Sequence, residues 1–195
     1  MEFFEKFRQQ EVLKEAEEKF ESKCTQDISA FKEKVWSDVE EFFKKEGVKH
    51  IESGEQGGTV KNFFLGELSV RVQNIAENDI VYKKQIFQKL EMMLWVNFKF
   101  DNKDFYYRLD INYDYDYDYD YKRNFVKFDD LDSKAKINFY NEKIKEPLNL
   151  ERTKCFAILL DGESKNAGLK KRISSNAGGS IESELEKVIK DLEST

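Results

Sequence analysis

The stretch Leu109–Tyr121 reads LDINYDYDYDYDY, and its side chains alternate strictly between two chemical classes. Polar residues, most of them aspartate, occupy one parity, whereas leucine, isoleucine and tyrosine occupy the other. A period of two is typical of an extended strand, because successive side chains on a strand point to opposite faces. In a helix the same residues would scatter carboxylates all around the cylinder. The stretch is therefore predicted to be a long strand with one acidic face and one aromatic face.

Length and composition fit a heavily charged globular protein. The chain has 195 residues, of which 39% are hydrophobic and 37% charged, and this length is enough for one ordinary domain with its own core. Its 17 Phe and 9 Tyr supply aromatic bulk for that core. No apolar run approaches the ~20 residues needed to cross a bilayer, and the N-terminal acids are unlike a signal peptide. We therefore expect a soluble protein of the cytoplasm, of the producing cell or of an infected host, with no membrane partner.

The cysteine and histidine content restricts the kinds of site that the chain can form. Cys24 and Cys155 lie far apart and form no CxxC pair, so we expect free, buried thiols rather than a disulfide. His50 is the only histidine, which argues against a structural zinc site of Cys/His type. A nucleophile–histidine pair would have to use His50, the only histidine. Its glycine-rich surroundings, GVKHIESGEQGG, are not expected to hold a catalytic base in a fixed orientation.

The charge of the chain is unevenly distributed. The net charge of −6 at pH 7 argues against direct, nonspecific binding of nucleic acid. Between Asp101 and Ser133 there are ten aspartates and five basic residues, whereas 164–180 contains four basic residues and no acid. The sequence therefore predicts an acidic region and a short basic one.

Two helices are predicted within residues 1–47. Apolar residues recur at helical spacing over 3–21 and again over 28–43. The polar segment 22–27 separates them and contains helix-capping residue types, and Gly47 is expected to end the second helix. So short a connection predicts an antiparallel helical hairpin. A coiled-coil dimer is the alternative, which the short and irregular runs do not favour.

The region 60–160 is predicted to hold a mostly antiparallel sheet of about four or five strands, with helices. The expected elements are a loop over Ser53–Thr59, a strand over Val60–Gln73 with Gly66 as a candidate bulge, a strand over Leu94–Phe100, a turn at Asp101–Asp104, a return strand over Phe105–Tyr121 and a buried strand over Lys154–Leu160. The pair flanking the turn is the strongest hairpin signal. Residues 79–93 fit both a helix and a strand, and the spacing leans slightly to helix.

Further helices are predicted towards the C-terminus. Ser133–Glu146 shows helical spacing and precedes Pro147, and Ser180 is expected to cap a last helix over 180–193 that follows a loop over Ser174–Gly179. Together these elements predict a single α+β domain over 1–195, with the later helices covering one face of the sheet.

The acidic parity of the long strand is the first candidate functional surface, and its aspartates are Asp110, Asp114, Asp116, Asp118 and Asp120. One interpretation is a solvated face that discourages aggregation. However, aspartate is a poor strand former. Alternate side chains on a strand lie ~6.7 Å apart. Neighbouring phosphates lie ~7 Å apart for a rise of ~3.4 Å, ~10.5 base pairs per turn and an assumed phosphate radius of ~10 Å. The row therefore resembles a row of phosphates and suits a basic partner.

These observations predict a non-enzymatic protein that engages a basic partner, such as a nucleic-acid-binding protein, through its acidic strand face. One version is a nucleic-acid-mimicking inhibitor, or DNA mimic, or another accessory protein of a virus or mobile element. No cofactor or metal is expected there, because a calcium site needs oxygens that converge on one point, whereas a straight row of carboxylates diverges. The tyrosine parity is expected to pack in the core.

A second candidate site follows the buried strand over 154–160. The sequence ILLDGESK places Asp161, Glu163 and Lys165 at the strand end. It resembles the PD-(D/E)xK nuclease motif, in which acids hold magnesium and a lysine assists the attacking water. The same residues also fit an ordinary Asp-Gly turn, and no upstream acid can be assigned to the site. A magnesium-dependent nuclease is therefore the alternative function.

Overall fold

The computed structural model describes residues 2–55, 59–77, 80–81, 88–113, 131–162, 168–175 and 177–195. The helices are α1 (Glu2–Lys45), α2 (Ser133–Lys145) and α3 (Ile181–Glu193), and a short 3-10 turn covers Leu150–Arg152. The strands are β1 (His50–Glu55), β2 (Thr59–Leu65), β3 (Leu68–Glu77), β4 (Ile80–Val81), β5 (Gln88–Lys89), β6 (Glu91–Phe100), β7 (Lys103–Tyr113), β8 (Thr153–Leu160) and β9 (Leu169–Arg172). This content confirms the predicted α+β class.

One antiparallel sheet of seven strands organises the described residues, in the order β1-β2-β3-β6-β7-β8-β9. Helices α1 and α3 pack on one side of it, called here the inner face: the Phe43 ring of α1 lies 4.4 Å from the Phe63 ring, and the Tyr107 hydroxyl donates to Asp191 of α3 at 3.0 Å. Helix α2 packs on α1. The opposite side is called the outer face. Strands β6 and β7 therefore lie at the centre of the molecule, with one side on the helical core.

The predicted helical hairpin over 1–47 is wrong, because α1 is one continuous helix of 44 residues. The polar segment 22–27 contains no glycine or proline, and its side chains find partners along the helix. The Thr25 hydroxyl donates to the Glu21 carbonyl at 3.0 Å, and Lys23 pairs with Asp27 at 2.6 Å. Capping residue types are compatible with a helix interior when their side chains bond within it. The buried Cys24 also continues the core-facing stripe through the segment.

The predicted end of the helix at Gly47 is confirmed, and it has the geometry of a Schellman motif. The Val48 N–H donates to the Phe43 carbonyl at 3.0 Å and the Gly47 N–H donates to the Lys44 carbonyl at 3.1 Å. Gly47 has φ +87°, a left-handed conformation that strains any residue with a Cβ.

Replacing Gly47 with alanine is therefore expected to lower the free energy of unfolding by about 1–2 kcal/mol. No atom lies within 4 Å of the added Cβ, so the loss is backbone strain alone. Gly54→Ala is the matched control, because its Cβ also meets open space and its φ is not positive. Urea denaturation of both variants measures the effect, and equal stability of the two would contradict the assigned cap.

The sheet is larger than the four or five strands predicted. Strands β1 and β9, with the polar sequences HIESGE and LKKR, form its two edges. Edge strands bury few side chains and commonly carry charge, so hydrophobic alternation does not reveal them. The predicted strand over Val60–Gln73 is two strands, joined by a two-residue turn in which Gly66 has φ +60°. Gly66 is thus a turn residue, as in a type II′ hairpin, and not the bulge that was predicted.

The predicted hairpin around residues 101–104 is confirmed and is built on a two-residue turn. Asp101 and Asn102 both have positive φ, 51° and 57°, as a type I′ turn requires. For residues 79–93 the sequence slightly favours a helix over a strand. The structure does not support the helix, because residues 80–81, 88–89 and 91–93 lie in strands. The last part of the predicted return strand, residues 114–121, lies outside the described residues.

The two predicted C-terminal helices are confirmed, but they do not both cover the sheet as expected, because α3 packs on β8 whereas α2 packs on α1. Helix α2 ends just before Pro147, and β8 is an interior strand between β7 and β9. The Ser180 hydroxyl accepts a hydrogen bond from the Ser183 N–H at 3.1 Å and caps α3. Among the described residues, no helix is both long enough and apolar enough to cross a membrane.

Candidate functional site

Strand β7 contains the beginning of the Asp/Tyr alternation, and the two parities lie on different faces of the sheet. Leu109 and Ile111 are fully buried on the inner face, in the core. Asp110 and Asn112 are half-buried on the outer face. The described part of the alternation therefore has an apolar side towards the helices and a polar side away from them. The candidate contact residues Asp114, Asp116, Asp118 and Asp120 lie outside the described residues.

The Asp110 carboxylate contacts Arg108 on the same strand. Arg108 Nη2 donates to Asp110 Oδ2 at 3.0 Å. Arg108 Nε lies 2.9 Å from Asp110 Oδ1, an ion contact that lacks the geometry of a hydrogen bond. Residues two apart on a strand share a face, which brings the pair together. Because this charge is balanced within the chain, any uncompensated charge of the row belongs to the aspartates that follow in the sequence.

A shallow groove of about 150 Å³ lies on the outer face across β3, β6 and β7. Its lining includes Arg71, Gln73, Trp95, Asn97, Tyr106 and Gly162. In the strand register Arg71 lies opposite Asn97, and Asn97 lies opposite Tyr106, so these three residues form one row across the sheet. Sequence reasoning missed this groove. The available signal was the polar parity of β3 and β6, which carries an arginine, an asparagine and a tryptophan.

Glu184 is a buried carboxylate that sequence reasoning also missed. It is 0% exposed, on α3, and accepts hydrogen bonds from the Ser174 hydroxyl and, at 2.5 Å, from Lys187 Nζ. The Ser174 oxygen in turn accepts from the Ala157 N–H of β8. A charge is tolerated in such a place when it is paired and hydrogen-bonded. The cluster ties α3 to the sheet, and we assign it a role in stability.

The residues of the nuclease interpretation are only partly described. Asp161 is exposed directly after β8, and its N–H donates to the Gly168 carbonyl at 3.2 Å. Glu163 and Lys165 lie outside the described residues. Within the described ranges, no group of three or more His, Cys, Asp or Glu residues is placed to hold a metal ion. The magnesium-dependent nuclease therefore stays a prediction.

The two cysteines are free and buried, as predicted. Burial raises the pKa of the Cys24 thiol to about 11. Burial also raises the pKa of Cys155, and the nearby Glu184 carboxylate adds to that shift. Because the thiolate is the reactive form of cysteine, neither residue has the environment of a nucleophile.

Comparisons with known proteins supply no function for this chain. No protein-family model matches it, and no curated protein or solved structure was found to match it. The proposals below rest on the chemistry of the chain itself.

Proposed function

We propose that this is a non-enzymatic binding protein that engages a basic partner through the acidic parity of the alternating stretch 109–121. The observation that supports the proposal is the register of β7. Leu109 and Ile111 pack in the core, whereas Asp110 and Asn112 lie on the outer face. Strand side chains alternate without exception where the strand is regular, so a continued strand keeps the later aspartates on the parity of Asp110.

The charge density of this parity favours a basic partner. Four aspartates occur within residues 114–120, which on a strand corresponds to one carboxylate per ~6.7 Å. Charges closer together than the Debye length, ~10 Å at 0.1 M salt, reinforce one another's field. The spacing also approximates that of phosphates along a nucleic acid strand. A basic protein surface that binds nucleic acid is therefore the partner class that we propose.

Strand β7, which the aspartate row follows in the sequence, is an interior strand of the sheet. It pairs in continuous antiparallel register with β6 on one side and β8 on the other. Its inner-face residue Tyr107 also hydrogen-bonds to α3 through Asp191. A binding surface built on an interior strand is held more rigidly than one on a loop, so the described part of the surface, at Asp110 and Asn112, offers a partner a fixed position.

A capture experiment with two variants tests the proposal. The immobilised wild type is compared with a variant that carries asparagine at Asp114, Asp116, Asp118 and Asp120. The control changes Asp129 and Asp130 to asparagine, in the segment that follows. We expect the first variant to lose basic proteins that the wild type and the control retain, and we expect those proteins to elute at moderate salt. Retention of the same partners by all three proteins would show that the row is not the contact surface.

A further inference from the structure

The outer-face groove contains an arginine whose charge is not balanced by any of the described residues. Arg71 is exposed on β3, opposite Asn62 on one side and Asn97 on the other. In the described part of the chain, no ion pair or hydrogen bond engages its guanidinium. An arginine in this state is available to an anion, because its planar group presents donors that match phosphate or carboxylate oxygens.

The same groove contains a hydrogen-bond acceptor that no described residue supplies with a donor. Asn97 Nδ2 donates to Asp104 Oδ1 at 3.2 Å, but Asn97 Oδ1 is buried and has no hydrogen-bond partner among the described residues. Buried polar atoms are nearly always satisfied. This acceptor therefore indicates a place for a donor that the described residues do not supply.

The indole ring of Trp95 also lines the groove. Trp95 lies on β6 between Gln73 and Arg108 in the strand register and is half-buried. Stacking on such a ring selects planar ligands. The groove of about 150 Å³ is smaller than the ~300–1,000 Å³ of sites for drug-sized molecules, so it fits a single ring system.

We propose that this groove binds a nucleotide, with the base stacked on Trp95, an N–H of the base edge donating to Asn97 Oδ1, and the phosphate on Arg71. An acidic peptide would use the arginine, and its backbone N–H groups can donate to the acceptor, but its carboxylate side chains do not stack on the ring. A basic peptide would be repelled by Arg71. A free mononucleotide and an exposed base of a single strand share the required chemistry. The inference does not rest on the function proposed above.

Tryptophan fluorescence tests the site directly, because the chain has 2 Trp. Trp36 lies on α1, 5.1 Å from the Lys61 ammonium, so the Trp36→Phe background leaves Trp95 as the only reporter. This protein is titrated with AMP, GMP, CMP and UMP to about 10 mM, a range that detects a millimolar Kd. A second arm uses adenosine and uridine decamers. Equilibrium dialysis of the wild-type chain with labelled nucleotide gives a readout that does not depend on the Trp36 change.

Two charge-matched variants decide whether the groove is the site. Arg71→Gln removes the proposed phosphate contact and is expected to weaken binding at least about tenfold. Lys99→Gln removes one positive charge from the same face, outside the groove, and is expected to leave the Kd unchanged within about twofold. Saturable quenching by mononucleotides supports a free nucleotide as the ligand, and binding of the decamers alone supports a single-stranded base. Absence of saturable binding in both arms and in dialysis, or equal weakening by the two variants, would overturn the inference.

Discussion

Replacing Ile111 with alanine is expected to lower the free energy of unfolding by about 2–5 kcal/mol, the range for a fully buried isoleucine. Ile111 is 0% exposed and lies opposite Met92 on β6 and Cys155 on β8. The alanine would leave a cavity at the centre of the sheet, where both neighbouring strands hold the backbone in register. The surroundings therefore have little freedom to collapse into the space.

The neighbouring Asn112 is the matched control, because it lies on the same strand with its side chain on the outer face. Asn112→Ala is expected to change the free energy of unfolding by no more than about 0.5 kcal/mol, as surface substitutions usually do. Urea denaturation of both variants tests which parity is buried. A larger loss for Asn112 than for Ile111 would reverse the assignment of the two faces, and the acidic parity would then lie in the core.

Replacing Glu184 with alanine is expected to destabilise the protein by about 2–4 kcal/mol. The change leaves the Ser174 hydroxyl without its acceptor in a buried site and removes the partner of Lys187. The loss falls short of that for a fully buried ion pair, because the Lys187 side chain is 38% exposed and its ammonium can reach water. Glu186→Ala, on the exposed side of the same helix, is expected to change stability by no more than about 0.5 kcal/mol.

A double-mutant cycle shows whether Glu184 acts through Ser174. If the two side chains stabilise the fold through their mutual hydrogen bond, Ser174→Ala and Glu184→Ala should be non-additive by about 0.5–3 kcal/mol. Additive effects, measured by chemical denaturation of the single and double variants, would contradict the cluster as described.

The sequence predicts the local elements of this fold better than their extent. Alternation and turn chemistry identify the β6–β7 hairpin, because both are properties of neighbouring residues. The continuous α1 is missed because segment 22–27 has capping residue types, and only its packing shows that they lie within a helix. The edge strands β1 and β9 are missed because their stability comes from backbone pairing with β2 and β8. The periodicity of their side chains does not reveal that pairing.

The candidate sites differ in the same way. The faces of residues 109–113 follow from alternation alone, and the structure places them as the pattern predicts. The groove with Arg71, Trp95 and Asn97 depends on the register between β3 and β6, two strands far apart in sequence. The Ser174–Glu184 contact depends on where α3 packs. No local pattern encodes either juxtaposition.

The central claim, that the acidic parity binds basic partners, is tested most directly with a labelled nonamer of lysine. Its Kd is measured by fluorescence anisotropy at several salt concentrations for the wild type and two variants of equal net charge. One carries asparagine at Asp114, Asp116, Asp118 and Asp120. The other carries glutamine at four exposed glutamates of α1, Glu5, Glu11, Glu15 and Glu18.

We expect the aspartate variant to bind at least about fivefold more weakly than the wild type, since four exposed ion pairs contribute roughly 1–4 kcal/mol together. We also expect the difference to shrink as salt rises, because the Debye length falls to ~10 Å at 0.1 M and shortens further above that concentration. The glutamate variant should bind nearly as well as the wild type. Equal weakening in the two variants would show that only net charge matters and would contradict a binding surface on the aspartate row.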